Sequence, residues 1–191
     1  MSEVNLDKIA NKQPEIWDVI VIGGGPAGMM SAIRASERGG RVLLIEKNDI
    51  LGKKLLITGG GRCNVTNAEL DNRKLLSKFK DSDKYLFSAF SKWSVKNTLV
   101  FFNSRNMPTK VEANQRVFPV SNSAKSVWDV LVNDLKKNNV SIISNTEVKG
   151  FVKEQNKIIG VKLKNKNIIH GKNFILATGG KSRPETGSTG D

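Results

Sequence analysis

The segment from Asp18 to Glu46 constrains this chain of 191 residues more than any other part. Val19 to Ile22 is a short run of β-branched apolar residues, the pattern of a parallel strand buried on both faces. Gly23, Gly25 and Gly28 follow at once with G-x-G-x-x-G spacing. Met29 to Arg38 then carries good helix formers, Gly39-Gly40 stops the helix, and Arg41 to Ile45 reads as a second buried strand ending at Glu46. Each part has a physical role in binding a dinucleotide. The first glycine permits the tight turn, the second lets backbone approach a pyrophosphate, and the third allows close helix–strand packing. The helix N-terminus offers free N–H groups and positive dipole to the phosphates. Glu46 lies 18 residues beyond Gly28, where an acid accepts hydrogen bonds from a ribose 2′-OH and repels a 2′-phosphate. FAD and NAD both suit such a unit.

Past Glu46 runs a glycine-punctuated loop, Gly52-Lys-Lys-Leu-Leu-Ile-Thr-Gly-Gly-Gly-Arg-Cys-Asn-Val-Thr-Asn67. Three consecutive glycines followed by Arg62 suit backbone that passes close to a flat or phosphorylated ligand, so the loop is expected to wall a cofactor. Residues 70–106 read as mainly helical, with Leu75, Leu76, Phe79, Leu86, Phe87 and Phe90 as an apolar stripe and a second helix from Ser94 to Asn103. Met107 to Val120 has extended character interrupted by Pro108 and Pro119, and residues 70–120 together read as a helical and extended insertion. Ser123 can cap an amphipathic helix from Ala124 to Lys137, and Val140 to Ile143 is a further apolar strand. Residues 146–170 alternate around turns as a β-meander, and Phe174 to Ala177 reads as another buried strand running into Thr178-Gly179-Gly180.

The single cysteine, Cys63, leaves no intramolecular disulfide and no paired-thiol centre, which fits a reducing cytoplasm. Residues 1–15 are polar, lack the apolar core of a signal peptide, and are expected to form a mobile extension. The longest uncharged stretch, Val19 to Ile33, spans 15 residues, too few to cross a membrane, so a soluble protein is expected. Charge is unevenly placed. Residues 1–50 hold 6 Lys/Arg against 7 Asp/Glu, whereas residues 51–191 hold 25 against 11, within a net charge of +13. A basic surface there suits RNA or another polyanion. Runs such as Lys164-Asn165-Lys166-Asn167 equally suit a lysine-rich composition on solvated faces.

Four motifs carry a resemblance: Val21 to Gly28, Gly52 to Asn67, Arg116-Val-Phe-Pro-Val-Ser121, and Leu176-Ala-Thr-Gly-Gly-Lys-Ser-Arg-Pro-Glu-Thr-Gly-Ser-Thr-Gly-Asp191. From about residue 16 onward the chain resembles the BaiN/RdsA-like NAD(P)/FAD-dependent oxidoreductases, also called aminoacetone-oxidase-like FAD-binding enzymes. The resemblance implies an α/β fold class: a Rossmann-like FAD/NAD(P)-binding domain of glutathione-reductase type with a β-meander. It implies that Gly23, Gly25, Pro26, Ala27 and Gly28 hold the FAD pyrophosphate and that Glu46, with Lys47 beside it, binds the adenosine ribose. Lys54, Gly60, Gly61, Arg62, Cys63 and Asn64 match the loop that runs along the cofactor toward the flavin. Val148 matches the place where backbone meets the adenine, and Ala177, Thr178 and Gly179 match the segment that closes over the cofactor. Members of the family are about twice as long, so the chain resembles their N-terminal part, truncated, with a complementing C-terminal half as an expected partner.

The implied activity is hydride transfer from NAD(P)H through FAD to a small-molecule or RNA substrate. Three functions stay open: an FAD-dependent oxidoreductase, a flavin-dependent reductase of uridine in ribosomal RNA, and a nucleotide-binding fragment without turnover. No catalytic triad or metal-ligand cluster is visible. His170, the only histidine, is read as structural at the exposed end of a meander strand. Cys63 is either a thiol acting beside the flavin or a small residue packed at a glycine turn. The catalytic residues, the substrate and the oligomeric state are not legible.

Overall fold

The structure, a computed structural model, describes residues 16–187 and 189, and the mobile extension expected over residues 1–15 lies outside them. In chain order the elements are β1 (Trp17–Ile22), α1 (Pro26–Ser36), β2 (Val42–Ile45), α2 (Lys53–Ile57), β3 (Thr66–Asn67), α3 (Asn72–Leu76), α4 (Asp83–Lys92), α5 (Val95–Asn103), β4 (Thr109–Glu112), β5 (Arg116–Pro119), α6 (Ala124–Lys137), β6 (Ser141–Ile143), β7 (Val148–Glu154), β8 (Lys157–Leu163) and β9 (Ile168–Leu176). They fall into two compact units. One comprises the described residues up to Lys54 and from Leu131 onward, and the other comprises Leu55–Val130.

The first unit is built on a six-stranded sheet ordered β6-β2-β1-β9-β8-β7. β6, β2, β1 and β9 run parallel, with Ile20 level with both Leu43 and Phe174. Val42, Leu43, Leu44 and Ile45 are all buried, as expected of a strand covered on both faces. α1 buries Gly28, Met29, Ala32 and Ile33, one stripe at helical spacing. It starts at Pro26, three residues before the expected Met29, because proline at the first helical turn loses no hydrogen bond and is preset in φ.

The meander and the last strand differ from expectation. Ile168–Leu176 is a single strand whose first residues pair antiparallel with β8 and whose remainder pairs parallel with β1. Phe174 and Ile175 are only half-buried and Leu176 is 64% exposed, so this is not the buried strand expected over Phe174 to Ala177. Past His170 its ladder is to β1 alone, and burial falls away along it. His170 is half-buried opposite Gly160 and not at a strand end.

The second unit holds a three-stranded antiparallel sheet, β3-β5-β4, and helices α3 to α5. Val95, Phe101, Phe102, Met107, Val117 and Phe118 are buried in it. Ser94 caps α5 through a reciprocal box with Asn97. The apolar stripe expected from Leu75 to Phe90 is only partly realised: Leu75 and Leu76 are buried, whereas Phe79 and Phe87 are exposed. Lys80 takes φ 49, ψ −127 and breaks the helical path before α4, so the residues on either side do not share one face. The expected glycine loop over 52–67 is also more ordered than a loop, since α2 and a 3-10 turn over Thr58–Gly61 occupy it.

Asp18 ties three chain segments of the first unit. Its Oδ2 accepts the Arg41 N–H at 3.0 Å, its Oδ1 accepts Lys172 Nζ at 2.7 Å, and its carbonyl accepts Asn173 Nδ2 at 3.0 Å. The Lys172 hydrogen bond, then the Arg41 N–H, hold the Asp18 carboxyl below the usual carboxylate range. A depressed carboxylate contributes stability above its unfolded pKa and loses it as pH falls through the folded value. Carbon-detected NMR titration is therefore expected to find Asp18 below the ordinary ~3.9 of aspartate, and Lys172→Met to move it up. An unshifted Asp18 in the wild type would contradict this clasp.

Candidate functional site

The turn after β1 is assembled by close backbone approach. Gly23 has φ 102, and its N–H donates to the Ile45 carbonyl at 2.8 Å. A Cβ on Gly23 would stand 2.5 Å from the Ala177 carbonyl oxygen, and one on Gly28 would stand 1.8 Å from the Gly23 carbonyl oxygen. Both contacts exclude any side chain, which is why glycine occupies these positions. Ala177 joins the turn through its N–H, which donates to Ile22 at 2.8 Å.

Gly25 is different: a Cβ built there meets nothing within 4 Å. Its glycine is not required by the protein's own packing, so the space above it is a cradle that a side chain would fill. Gly25 is also the N-cap of α1, and no side chain caps that helix. The first N–H groups of a helix have no intrahelical partner, and here they face the same turn with the positive end of the dipole. An uncapped helix end beside an open glycine suits a pyrophosphate, so the residues present fit an adenine dinucleotide.

Glu46 is buried, and its carboxylate is already engaged. Oε2 accepts the Gly24 N–H at 2.6 Å, and Oε1 accepts the Asn48 backbone N–H at 2.8 Å and Asn48 Nδ2 at 2.7 Å. Lys47 is half-buried and donates to Thr189 Oγ1 at 2.7 Å. Lys54 lies half-buried in α2, Thr178 is half-buried, Gly179 is exposed, and Val148 opens β7 opposite Leu163 against the core. The first unit thus brings Gly23, Gly28, Glu46 and Ala177 to one turn, with Gly25, Pro26 and Ala27 at the open helix end.

In the second unit, Gly59, Gly60 and Gly61 all take positive φ. Cys63 also has positive φ (59°) and is buried, with its N–H donating to the Thr58 carbonyl at 2.9 Å. Burial pushes the Cys63 thiol up, with the Thr58 hydroxyl acting in the opposite sense. Arg62 stacks its guanidinium 4.1 Å from the Phe118 ring centroid. It also pairs with both Glu112 oxygens at 3.0 and 3.2 Å and reaches Asn122 Oδ1 at 3.4 Å. The Arg62 hydrogen bond, followed by that of Lys110, holds the Glu112 carboxyl below its usual range. Gly60, Gly61 and Asn64 are exposed.

A family model described as HI0933-like protein Rossmann domain matches residues 17–191. The chain belongs to the HI0933-like family. Over 176 residues it is 31% identical to the ribosomal RNA dihydrouridine synthase of Escherichia coli (strain K12), a match covering 92% of this chain and 42% of that protein. Over 181 residues it is 32% identical to the 3-dehydro-bile acid delta(4,6)-reductase of Clostridium scindens, covering 89% of this chain and 41% of that protein. The chain therefore spans about two fifths of the length of these relatives. The same fold occurs in the 3-ketosteroid-delta4-(5alpha)-dehydrogenase of Rhodococcus jostii RHA1. That match has a TM-score of 0.68 at 17% identity and covers 90% of this chain and 47% of that one. Among the described residues no helix is long and apolar enough to cross a membrane.

Gly24 and Asn48 hold this turn together without being among the expected site residues. Gly24 is the fixed point of the turn, with its N–H on Glu46 and its carbonyl accepting the Gly52 N–H at 2.9 Å. The run of three glycines from Gly23 to Gly25 was the available signal. Asn48 supplies two of the three hydrogen bonds to the Glu46 carboxylate. An amide side chain two residues after an acid marks a local hydrogen-bonded turn, and that was its signal.

The environment of Cys63 yields a reactivity prediction. Because the thiolate is the nucleophile, a buried thiol with a raised pKa is expected to alkylate with iodoacetamide at least ~10-fold more slowly than free cysteine at neutral pH. The rate should climb only in more alkaline solution. Modification at the free-cysteine rate would place the thiol in a different environment.

Proposed function

We propose that this chain forms the cofactor-binding part of an FAD-dependent oxidoreductase of glutathione-reductase type, within the BaiN/RdsA-like branch. The observation that carries this reading is the open, uncapped glycine turn at Gly25, which leaves backbone N–H groups and space together. FAD, when bound, supplies a two-electron centre that exchanges a hydride with reduced nicotinamide and with a substrate. Gly23, Gly25, Pro26, Ala27 and Gly28 hold the pyrophosphate. Glu46 meets the adenosine ribose through the acceptor capacity its carboxylate retains, with Lys47 adjacent. Backbone at Val148 faces the adenine. In the first unit, Lys54, Ala177, Thr178 and Gly179 continue along the cofactor, and the resemblance assigns to Gly60, Gly61, Arg62, Cys63 and Asn64 of the second unit the role of the family's flavin-side loop. A C-terminal half supplies the rest of the flavin environment, and the cytoplasm is the compartment.

Uridine in ribosomal RNA is the substrate class this reading favours. The Escherichia coli relative is named for dihydrouridine in ribosomal RNA and the Clostridium relative for delta(4,6) reduction of a 3-dehydro-bile acid. In uridine and in a 3-oxo-delta(4,6) steroid alike, the ring double bond is conjugated with a carbonyl. Such a bond accepts hydride because the carbonyl withdraws the resulting charge. The excess of 25 Lys/Arg over 11 Asp/Glu in residues 51–191 supports a polyanionic substrate over a bile acid.

Gly25→Val places a branched side chain in the cradle and is expected to abolish ADP and FAD binding in calorimetry while leaving the fold intact, since nothing lies within 4 Å of the added Cβ. Wild-type affinity in that variant would remove the reading. The substrate class is tested by supplying the chain, with its complementing half, with NADPH or NADH and either a ribosomal RNA transcript or a bile-acid enone. Gain of two hydrogens by a uridine, with RNA binding that weakens steeply with salt, is the expected result. Reduction of the steroid alone would overturn it. Addition of the C-terminal half is expected to tighten FAD binding and raise turnover above that of the chain alone.

A further inference from the structure

Asn48 joins two parts of the first unit that are remote in sequence. One hydrogen of its Nδ2 goes to Glu46 Oε1 at 2.7 Å and the other to the Thr186 carbonyl at 3.3 Å. Its backbone N–H also donates to Glu46 Oε1, at 2.8 Å. The opposite oxygen of the same carboxylate, Oε2, holds the Gly24 N–H at 2.6 Å. On the far side, Thr186 is buried and ends a 3-10 turn over Pro184–Thr186. Gly187 follows at φ 88, where a Cβ would stand 2.7 Å from Asn48 Nδ2 and 2.8 Å from Oδ1. The neighbouring Lys47 reaches Thr189 Oγ1 at 2.7 Å, so the same short segment meets this turn at two points.

We propose that Asn48 is a positioning residue that couples the Pro184–Gly187 turn to the glycine turn through the Glu46 carboxylate, and so sets the geometry in which the cradle receives a pyrophosphate. The proposal rests on the reading of the Gly25 cradle as the pyrophosphate site.

The physical basis is the rigidity of a carboxylate. Its two oxygens lie in one plane, so a rotation that releases Oε1 from Asn48 also swings Oε2 away from the Gly24 N–H. Glu46 is buried, and water is not at hand to replace a lost donor. Both amide hydrogens of Asn48 are used, one on each side of the link, so the side chain cannot turn to favour Glu46 without leaving Thr186. Gly24 immediately precedes Gly25, and a tilt of its peptide plane is passed to the helix end that faces the ligand. An adenosine contact at Glu46 can persist, since an ionised carboxylate has about four acceptor sites and three are in use. Loss of the link is therefore felt by a pyrophosphate more than by adenosine.

The test uses the 191-residue chain, with ADP and adenosine as probes, and compares the wild type with Asn48→Ala and Gly187→Ala. Two quantities are read: the nitrogen–proton shift of the Gly24 amide without ligand, and the ratio of ADP to adenosine affinity by calorimetry. Both variants are expected to shift the Gly24 amide and to weaken ADP about tenfold, the scale of one hydrogen bond to a charged group, while adenosine changes by less than about twofold. Gly187→Ala pushes its Cβ against the Asn48 amide from the Thr186 side while leaving the Asn48 side chain in place, and serves if Asn48→Ala fails to fold. An unmoved Gly24 amide in a folded variant would overturn the proposal, as would equal loss of ADP and adenosine, the signature of general destabilisation. If the wild type binds no ADP, the pyrophosphate reading falls and the coupling stands or falls on the Gly24 amide alone.

Discussion

A carboxylate taken out of water must find donors in the protein, and around Glu46 the chain supplies them from two directions. Gly24 donates to one oxygen, and Asn48 donates twice to the other. The backbone of Glu46 is equally committed, since its N–H donates to Ile143 at 2.9 Å and its carbonyl accepts Thr146 at 2.9 Å. One residue thus holds together the exit of β1, the end of β2 and the exit of β6. Oε1 has two donors and Oε2 is held by the Gly24 N–H, so the turn that faces the ligand is where a shift of the carboxylate is felt.

The second constraint on the turn comes from β9. By pairing first with β8 and then with β1, this strand carries the chain from the antiparallel meander into the parallel sheet without a break. Its register places Leu176 beside Ile22, so Ala177 arrives directly under Gly23. The glycine at position 23 is therefore a response to backbone brought from the far end of the chain as much as to the local turn. In the second unit the same economy of space holds. Three glycines with positive φ carry the backbone to Arg62, which is held between the Phe118 ring and the Glu112 carboxylate. An Arg62 engaged in this way serves the loop first as a strut.

Much of the first unit was readable in advance because its signals are local. A β-branched run, glycines at fixed spacing and an acid at the end of the next apolar run each follow from backbone sterics or burial within a few residues. The helix over Ser94 to Asn103 and the extended character of Met107 to Val120 are local in the same sense, whereas the capping box at Ser94 and the pairing of β4 with β5 emerge only in the structure. The apolar stripe from Leu75 to Phe90 failed because periodicity assumes an unbroken helix, and Lys80 interrupts it. In the sequence the polar run His170 to Asn173 separates two apolar pieces, yet all of Ile168–Leu176 is one strand, because it changes partner from β8 to β1 along its length.

The sequence by itself determined that a glycine turn follows a buried strand, that a helix opens from it, and that an acid waits at the end of the next strand, since each depends on conformational preferences of neighbouring residues. Only the tertiary structure decided what those groups touch. It gave the Glu46 carboxylate to Gly24 and Asn48, set Ala177 against Gly23, left Gly25 open, and bound Asn48 to Thr186. These contacts join residues distant in the chain, and their partners are chosen by which hydrogen-bonding groups the packed sheet leaves within reach.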